Sequence, residues 1–219
     1  MRPEHVMLET LLVANTATAA VNTVALVRAA DDFVDLAGKK KITKYFTTAI
    51  ESTIAKFNNA SFNFTGGFVG LGVASDFVWT KDDTFTIEWW QYVIQFNGNN
   101  WLIADGSNTT SCLKTYESNL YLQTQGASAS VSTTSALTLN TWQHIAIVQT
   151  GGVIKLYVNG VQEMSFAVNS YFGLATTIFT FGGGNGSYTS RAYMDQLRIS
   201  KIARYTAAFT PPTKPFEID

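Results

Sequence analysis

The sequence predicts an all-β chain, a two-layer antiparallel β-sandwich behind a short N-terminal arm. Three observations predict it. About a dozen short runs of alternating or continuous apolar residues are separated by Gly, Asn, Asp and Ser clusters, with no convincing helix between them. Asn159-Gly160, set between Lys155–Val158 and Val161–Met164, is a hairpin signal, because both central positions of a type I′ turn need positive φ. The hydrophobic fraction of 46%, with 13% aromatic residues, suffices for a sandwich core and excludes a disordered chain.

Taken in order, residues 1–21 form the arm, and the sandwich domain spans 22–219. The arm lacks glycine and aromatic residues. Met7, Leu8, Leu11 and Leu12 fit a helical stripe, whereas Thr16, Thr18 and Val21 favour extended structure. A loosely docked arm and an anchor that orders only against a neighbouring subunit both fit this pattern. Glu4 and Glu9 interrupt the stretch where a signal peptide should be basic and then continuously apolar.

Val24–Val27 is the first predicted strand, and Lys56–Phe64 alternates from Ser61 before breaking at Gly66-Gly67. Thr84–Phe96 is the longest. It sends Phe85, Ile87 and Trp89 to one face and Thr86, Glu88 and Trp90 to the other. Trp101–Asp105 is expected to pair with it, and Asn119–Gln123 to continue the meander. Trp142–Gln149 and Val153–Val158 follow, joined across Thr150-Gly151-Gly152. Thr176–Phe181 comes next, and Gly182–Gly186 is expected to be a flexible loop. In the final strand, Tyr193, Asp195, Leu197 and Ile199 alternate with Met194, Gln196, Arg198 and Ser200. Pro211, Pro212 and Pro215 lack amide donors and keep the exit extended. Tyr205, Phe209 and Phe216 are then the anchors expected to cover the sandwich edge.

Charged residues make up 14% of the chain and the net charge is −1, which argues against capture of nucleic acid on a basic face. The short run Lys39-Lys40-Lys41, with Lys44, reads as a solvated loop. No apolar run reaches membrane-spanning length. Cys112 is the one cysteine, so no intrachain disulfide forms. Signals for an enzyme are thin. A glycosidase on a sandwich needs two carboxylates flanking one bond, and Glu88 has Thr86 and Trp90, not an acid, as its same-face neighbours. His144 reads as a structural imidazole. A sugar site is the serious functional candidate. Asn99, Asn100 and Trp101 in one loop, with Asn185 and Tyr188 in another, combine an aromatic platform with amides.

Five segments resemble a known family. Lys56–Phe64, Thr84–Trp90 (Thr-Phe-Thr-Ile-Glu-Trp-Trp), Thr141–Val148 (Thr-Trp-Gln-His-Ile-Ala-Ile-Val), Gly152–Gly160 (ending Leu-Tyr-Val-Asn-Gly) and the closing stretch Arg198–Phe216 occur in order. They resemble the concanavalin-A-like (laminin-G-like) jelly-roll domains found in bacteriophage structural proteins. Asn58 stands where that pattern has a glycine. The resemblance implies a non-enzymatic virion protein, displayed on capsid or tail as a decoration or accessory subunit. It implies assembly in the bacterial host cytoplasm, attachment to other virion proteins through the arm, and a homo-oligomer. A carbohydrate-binding module for the host surface is the alternative. The family also places an acid in its last strand, here Asp195. Loop hydrogen bonding and calcium ligation are both open for it, with Asp105, Asn108 and Asn185 as further oxygens. No other cofactor is implied.

Overall fold

A computed structural model of the chain describes residues 22–38, 40–72, 74–96, 98–104, 112–123, 131–133, 137–168, 171–172, 178–185 and 188–219. The N-terminal arm, 1–21, lies outside them. The strands are β1 (Thr23–Val27), β2 (Ile42–Phe46), β3 (Ala49–Glu51), β4 (Ser61–Asn63), β5 (Gly67–Leu71), β6 (Trp79–Thr80), β7 (Phe85–Val93), β8 (Asn99–Ala104), β9 (Cys112–Tyr116) and β10 (Asn119–Gln123). They continue as β11 (Val131–Ser132), β12 (Trp142–Thr150), β13 (Val153–Val158), β14 (Val161–Ala167), β15 (Tyr171–Phe172), β16 (Phe179–Phe181), β17 (Gly183–Asn185), β18 (Tyr188–Thr189) and β19 (Ala192–Ser200). Among the described residues, helical geometry is confined to two short 3₁₀ turns, Ala29–Asp31 and Ala74–Phe77. None is long and apolar enough to cross a membrane.

Two antiparallel sheets form the sandwich. The large sheet has eight strands in the order β14-β13-β12-β7-β19-β4-β3, with β1 also on β19; the small sheet has seven in the order β11-β10-β9-β8-β16-β5-β2. Their inner faces share one core, in which Phe85, Ile87, Trp89, Ile145, Ile147 and Leu156 meet Leu102, Leu113, Leu120, Leu122, Phe179 and Phe181. The predicted parity of β7 is therefore correct. Trp89 is fully buried, edge-on to Phe181 at 5.8 Å, and its burial contributes about 2–3 kcal/mol. The Asn159-Gly160 hairpin has φ of 49° and 80°, as a type I′ turn requires. Asn58 and Asn59, at 51° and 53°, make the same kind of turn between Phe57 and Ala60. A positive φ is what the family's glycine supplies at the Asn58 position.

The structure corrects several expectations. β8 does not pair with β7: the chain crosses over the end of the sandwich after Val93, so β7 joins β12 and β19 while β8 joins β9 and β16. β19 does not alternate throughout. A bulge between Asp195 and Arg198, with Gln196 at φ 61°, shifts the parity. Met194, Leu197 and Ile199 all reach the core as a result, and Asp195 does not. The glycine run is not a free loop, because Gly183 and Asn185 pair with Thr189 and Tyr188. Lys40 and Lys44 are not simply solvated: Lys40 Nζ lies 2.9 Å from Asp76 and Lys44 belongs to β2 with its Nζ over the Phe33 ring, while Lys39 lies outside the described residues.

The closing tail, 201–219, covers the outer face of the large sheet, not its edge. Thr86 Oγ1 donates to the Ile202 carbonyl at 2.7 Å and accepts from Arg204 N at 3.0 Å. Tyr205 and Phe209, stacked at 3.5 Å, pack on Ala146, Val148 and Tyr157. Phe216, 2% exposed, packs on Leu26 and Trp90. Phe209 N also donates to the Gly160 carbonyl at 3.0 Å. The reason is legible in β12, where Ile145-Ala146-Ile147-Val148 is apolar on both faces, so both faces need cover.

Candidate functional site

The outer face of the small sheet is built by the same alternation that fills the core. In β8, β9 and β10 the side chains of Leu102, Leu113, Leu120 and Leu122 face inward, so Trp101, Lys114, Tyr116 and Tyr121 face outward. Register then sets them in rows. Trp101 pairs with Lys114 and Lys114 with Tyr121; Asn99 pairs with Tyr116 and Tyr116 with Asn119. Tyr188, on β18, lays its ring on Trp101 at 5.1 Å with 17° between planes. Trp101 is 8% exposed and Tyr188 37%, so the indole is the floor and the phenol the accessible step. Tyr116, 48% exposed, meets Tyr121 edge-on at 6.3 Å.

Of the five residues proposed from sequence for a sugar site, Trp101 and Tyr188 thus come into contact. Asn100 does not join them: it is buried, and its Nδ2 donates to the Gln95 carbonyl at 3.3 Å, bracing the turn before β8. The side chains of Asn99 and Asn185 lie outside the described residues, and so does that of Cys112. Lys114, Tyr116 and Tyr121 were missed by the sequence reading. The alternation of Leu113 with Lys114 and of Leu120 with Tyr121 carries that signal once β9 is recognised as a strand.

The charge on this sheet is one-sided. Its seven strands contain no Asp or Glu, and their charged residues are Lys44 and Lys114. No pair of carboxylates of the kind glycoside hydrolysis uses is available on these strands. Lys44 Nζ lies over the Phe33 ring at 4.8 Å. Lys114 is half-buried and makes no ion pair among the described residues.

Glu88, on β7 of the large sheet, is sealed instead. Glu88 is fully buried beneath the tail. Its Oε1 accepts from Arg198 Nε at 2.9 Å and Nη2 at 2.7 Å, and its Oε2 from the Tyr205 hydroxyl at 2.7 Å. His144 Nε2 lies 3.1 Å from Oε2 and donates, because an ionised carboxylate can only accept. Burial alone would raise the Glu88 pKa, but the His144 hydrogen bond, the Arg198 charge and the Tyr205 hydroxyl outweigh it and hold it below the usual value. Burial, with the Glu88 charge added, pushes the Tyr205 phenol up. His144 thus serves as a donor within the sealed Glu88 network, and it sits on the outer face of β12 and not in the inter-sheet core.

Asp195 is also buried. Its Oδ1 accepts from Ala29 N at 3.1 Å, Gln196 N at 2.8 Å and Gln196 Nε2 at 3.3 Å. Those neighbours are N–H donors, the wrong polarity for a calcium ligand shell. Asp105 and Asn108 lie outside the described residues, and among the described residues no group of three or more His, Cys, Asp or Glu is placed to hold a metal. Burial pushes the Asp195 carboxyl up to about 6. A raised folded-state pKa favours the protonated fold, so its contribution is complete below the ordinary carboxyl value and is lost as pH rises through about 6. Urea unfolding between pH 4 and 7 should show the native chain losing about 2 kcal/mol relative to Asp195→Asn. Parallel pH profiles for the two proteins would refute this assignment.

Residues 65–208 match the family model described as Concanavalin A-like lectin/glucanases superfamily, Laminin_G_3. Among solved structures, the binding domain of Paraclostridial Mosquitocidal Protein 1 superposes with a TM-score of 0.67 at 15% identity, over 84% of this chain and 50% of that one. Domain 4 of AbnA, a GH43 extracellular arabinanase from Geobacillus stearothermophilus, gives 0.64 at 18% identity over 84% and 94%. The binding domain of botulinum neurotoxin DC gives 0.61 at 13% over 84% and 49%. The chain therefore spans about half the length of the two toxin binding domains. No curated protein sequence matches it. With the sandwich, the register and the family model in agreement, the chain belongs to the concanavalin A-like lectin/glucanases superfamily.

Proposed function

We propose that the chain is a non-enzymatic carbohydrate-binding module whose site is the outer face of the small sheet. The observation that carries it is the Trp101–Tyr188 stack continued by Lys114 and Tyr121 across neighbouring strands. A pyranose presents a C–H face to such rings, while its hydroxyls need donors and acceptors at the rim, the arrangement typical of small-ligand sites. The same fold occurs in the arabinanase domain solved with arabinotriose and in the neurotoxin binding domain solved with SialylT, which supports the reading. The sealing of Glu88 and the absence of acids from the small sheet support a role without hydrolysis. No cofactor takes part in this reading. A glycan array should return hits, and Tyr188→Ala should weaken the best of them about tenfold, the loss of roughly 1.4 kcal/mol. Trp101→Ala should do at least as much. An array without hits overturns the reading.

Where the module acts is a second question, and the five segments shared with phage structural domains bear on it. On that basis the chain is a bacteriophage virion component made in the host cytoplasm, held on capsid or tail partly by residues 1–21, and present as a homo-oligomer. β1 begins at Thr23 and pairs with β19, so the strands that close the sandwich start after the arm. Deleting residues 1–20 is therefore expected to leave the far-ultraviolet spectrum and melting point unchanged while abolishing incorporation into particles, read by mass spectrometry of purified virions. Absence of the full-length chain from particles, or failure of the truncated chain to fold, would sink this placement.

A further inference from the structure

We infer that the glycan taken by the small sheet is acidic, with its anionic group seated on Lys114. The inference rests on the carbohydrate-binding reading and adds the ligand class to it. Lys114 lies in one register row between Trp101 and Tyr121. A sugar ring laid on that row brings a substituent onto the ammonium group. Lys44, the other charged residue of the sheet, lies on β2, separated from β9 by the three strands β8, β16 and β5, and is occupied with the Phe33 ring. With no Asp or Glu in any of the seven strands, the ammonium has no counter-charge within its own sheet. This one-sidedness is local, because the chain as a whole carries a net charge of −1.

A neutral sugar covering Lys114 would strip water from a cation and return nothing of opposite sign. A carboxylate or sulfate returns a charge-assisted hydrogen bond, strengthened by the aromatic walls that keep water away. An amino sugar in its cationic form would be repelled. Nucleic acid phosphate shares the charge, but a backbone-tracking site needs a line of cations, and the only Lys or Arg in β8–β11 is Lys114.

The test uses the full chain and isothermal titration with three probe sets: sialylated or uronate-containing oligosaccharides, sulfated oligosaccharides, and their neutral parents. The expected result is binding of an acidic set, a loss of about tenfold or more on Lys114→Met, substantial retention with Lys114→Arg, and weakening as salt is raised. The carboxylated and sulfated arms identify which anion is recognised. Circular dichroism checks that each variant is folded. If neutral glycans bind as tightly as acidic ones, with Lys114→Met unchanged and Tyr188→Ala weakened, the acidic class is overturned while carbohydrate binding stands. If no glycan of any set binds, both readings fall together.

Discussion

Glu88→Gln is expected to lower the stability of the domain by about 3–5 kcal/mol, the cost of removing one member of a buried ion pair. Arg198 makes its two charge-assisted bonds to Glu88 Oε1, and Arg204 Nε stands 3.6 Å from the same oxygen. Glutamine keeps the shape but leaves the Arg198 guanidinium without the charge that justifies its burial, whereas Arg204 keeps its pair with Asp219. For a chain of this size the loss corresponds to a fall in melting temperature of roughly 10–15 °C. Arg198→Met should be costly alone, yet the double variant Glu88→Gln with Arg198→Met should cost clearly less than the sum of the two single changes. A Glu88→Gln protein melting within a degree or two of the native one would show that the network is dispensable. The pH dependence has a definite sign. Because the folded-state pKa of Glu88 is lowered, its contribution is present above the ordinary glutamate value and is lost as pH falls through the lower folded one. Acid unfolding of the native chain should therefore have a component that the Glu88→Gln variant lacks.

The double variant Phe209→Ala with Phe216→Ala carries the second large effect. Phe216 is 2% exposed among Leu26 and Trp90, with the Arg198 guanidinium 4.4 Å over its ring. Its truncation alone falls in the range of about 3–5 kcal/mol for a buried phenylalanine. Phe209 is half-buried and costs less, but it holds Tyr205 by stacking and edges onto Tyr157 at 5.4 Å. Losing both lifts the tail from the large sheet and exposes Ala146, Val148 and Tyr157 as one apolar patch, an invitation to association. Urea titration and light scattering should show a sharply lowered midpoint together with aggregation. Glycan affinity of the folded fraction should be unchanged, because the proposed site is on the opposite sheet. A double variant that melts like the native protein but loses partner binding would make the tail an exposed docking strip instead.

Much of the sandwich was legible in the sequence because its signals are local. The parity of Phe85, Ile87 and Trp89, the Asn159-Gly160 turn and the three prolines of the tail each depend on a few adjacent residues and fixed stereochemistry. Pairing was less legible. Thr84–Phe96 and Trp101–Asp105 look like consecutive strands of a meander, yet β7 and β8 lie in different sheets. Nothing in the short connection itself distinguishes a hairpin from a crossover. The bulge at Gln196 was hidden for a related reason: a non-glycine residue at positive φ carries no mark in the sequence, and one such residue reverses the facing of Asp195 relative to Leu197.

Of the candidate site, Trp101 and Tyr188 could be chosen from composition as an aromatic platform among amides, a composition that turns share for backbone reasons alone. Their stacking, the row that Lys114 shares with Trp101 and Tyr121, and the burial of Asn100 came from register, which joins residues far apart in the chain. Glu88 shows the same division. Sequence alone put an acid beside an indole on one face of a long strand. Only the tertiary structure could show that His144, Arg198 and Tyr205 converge on it from three other segments. By itself, then, the sequence determined the class of fold, the core face of β7 and the extended character of the tail, because backbone preference and hydrophobic alternation act over a handful of residues. The tertiary structure decided which sheet each strand joins, which face the tail covers and which side chains meet, because those depend on the cooperative closing of two sheets around one core.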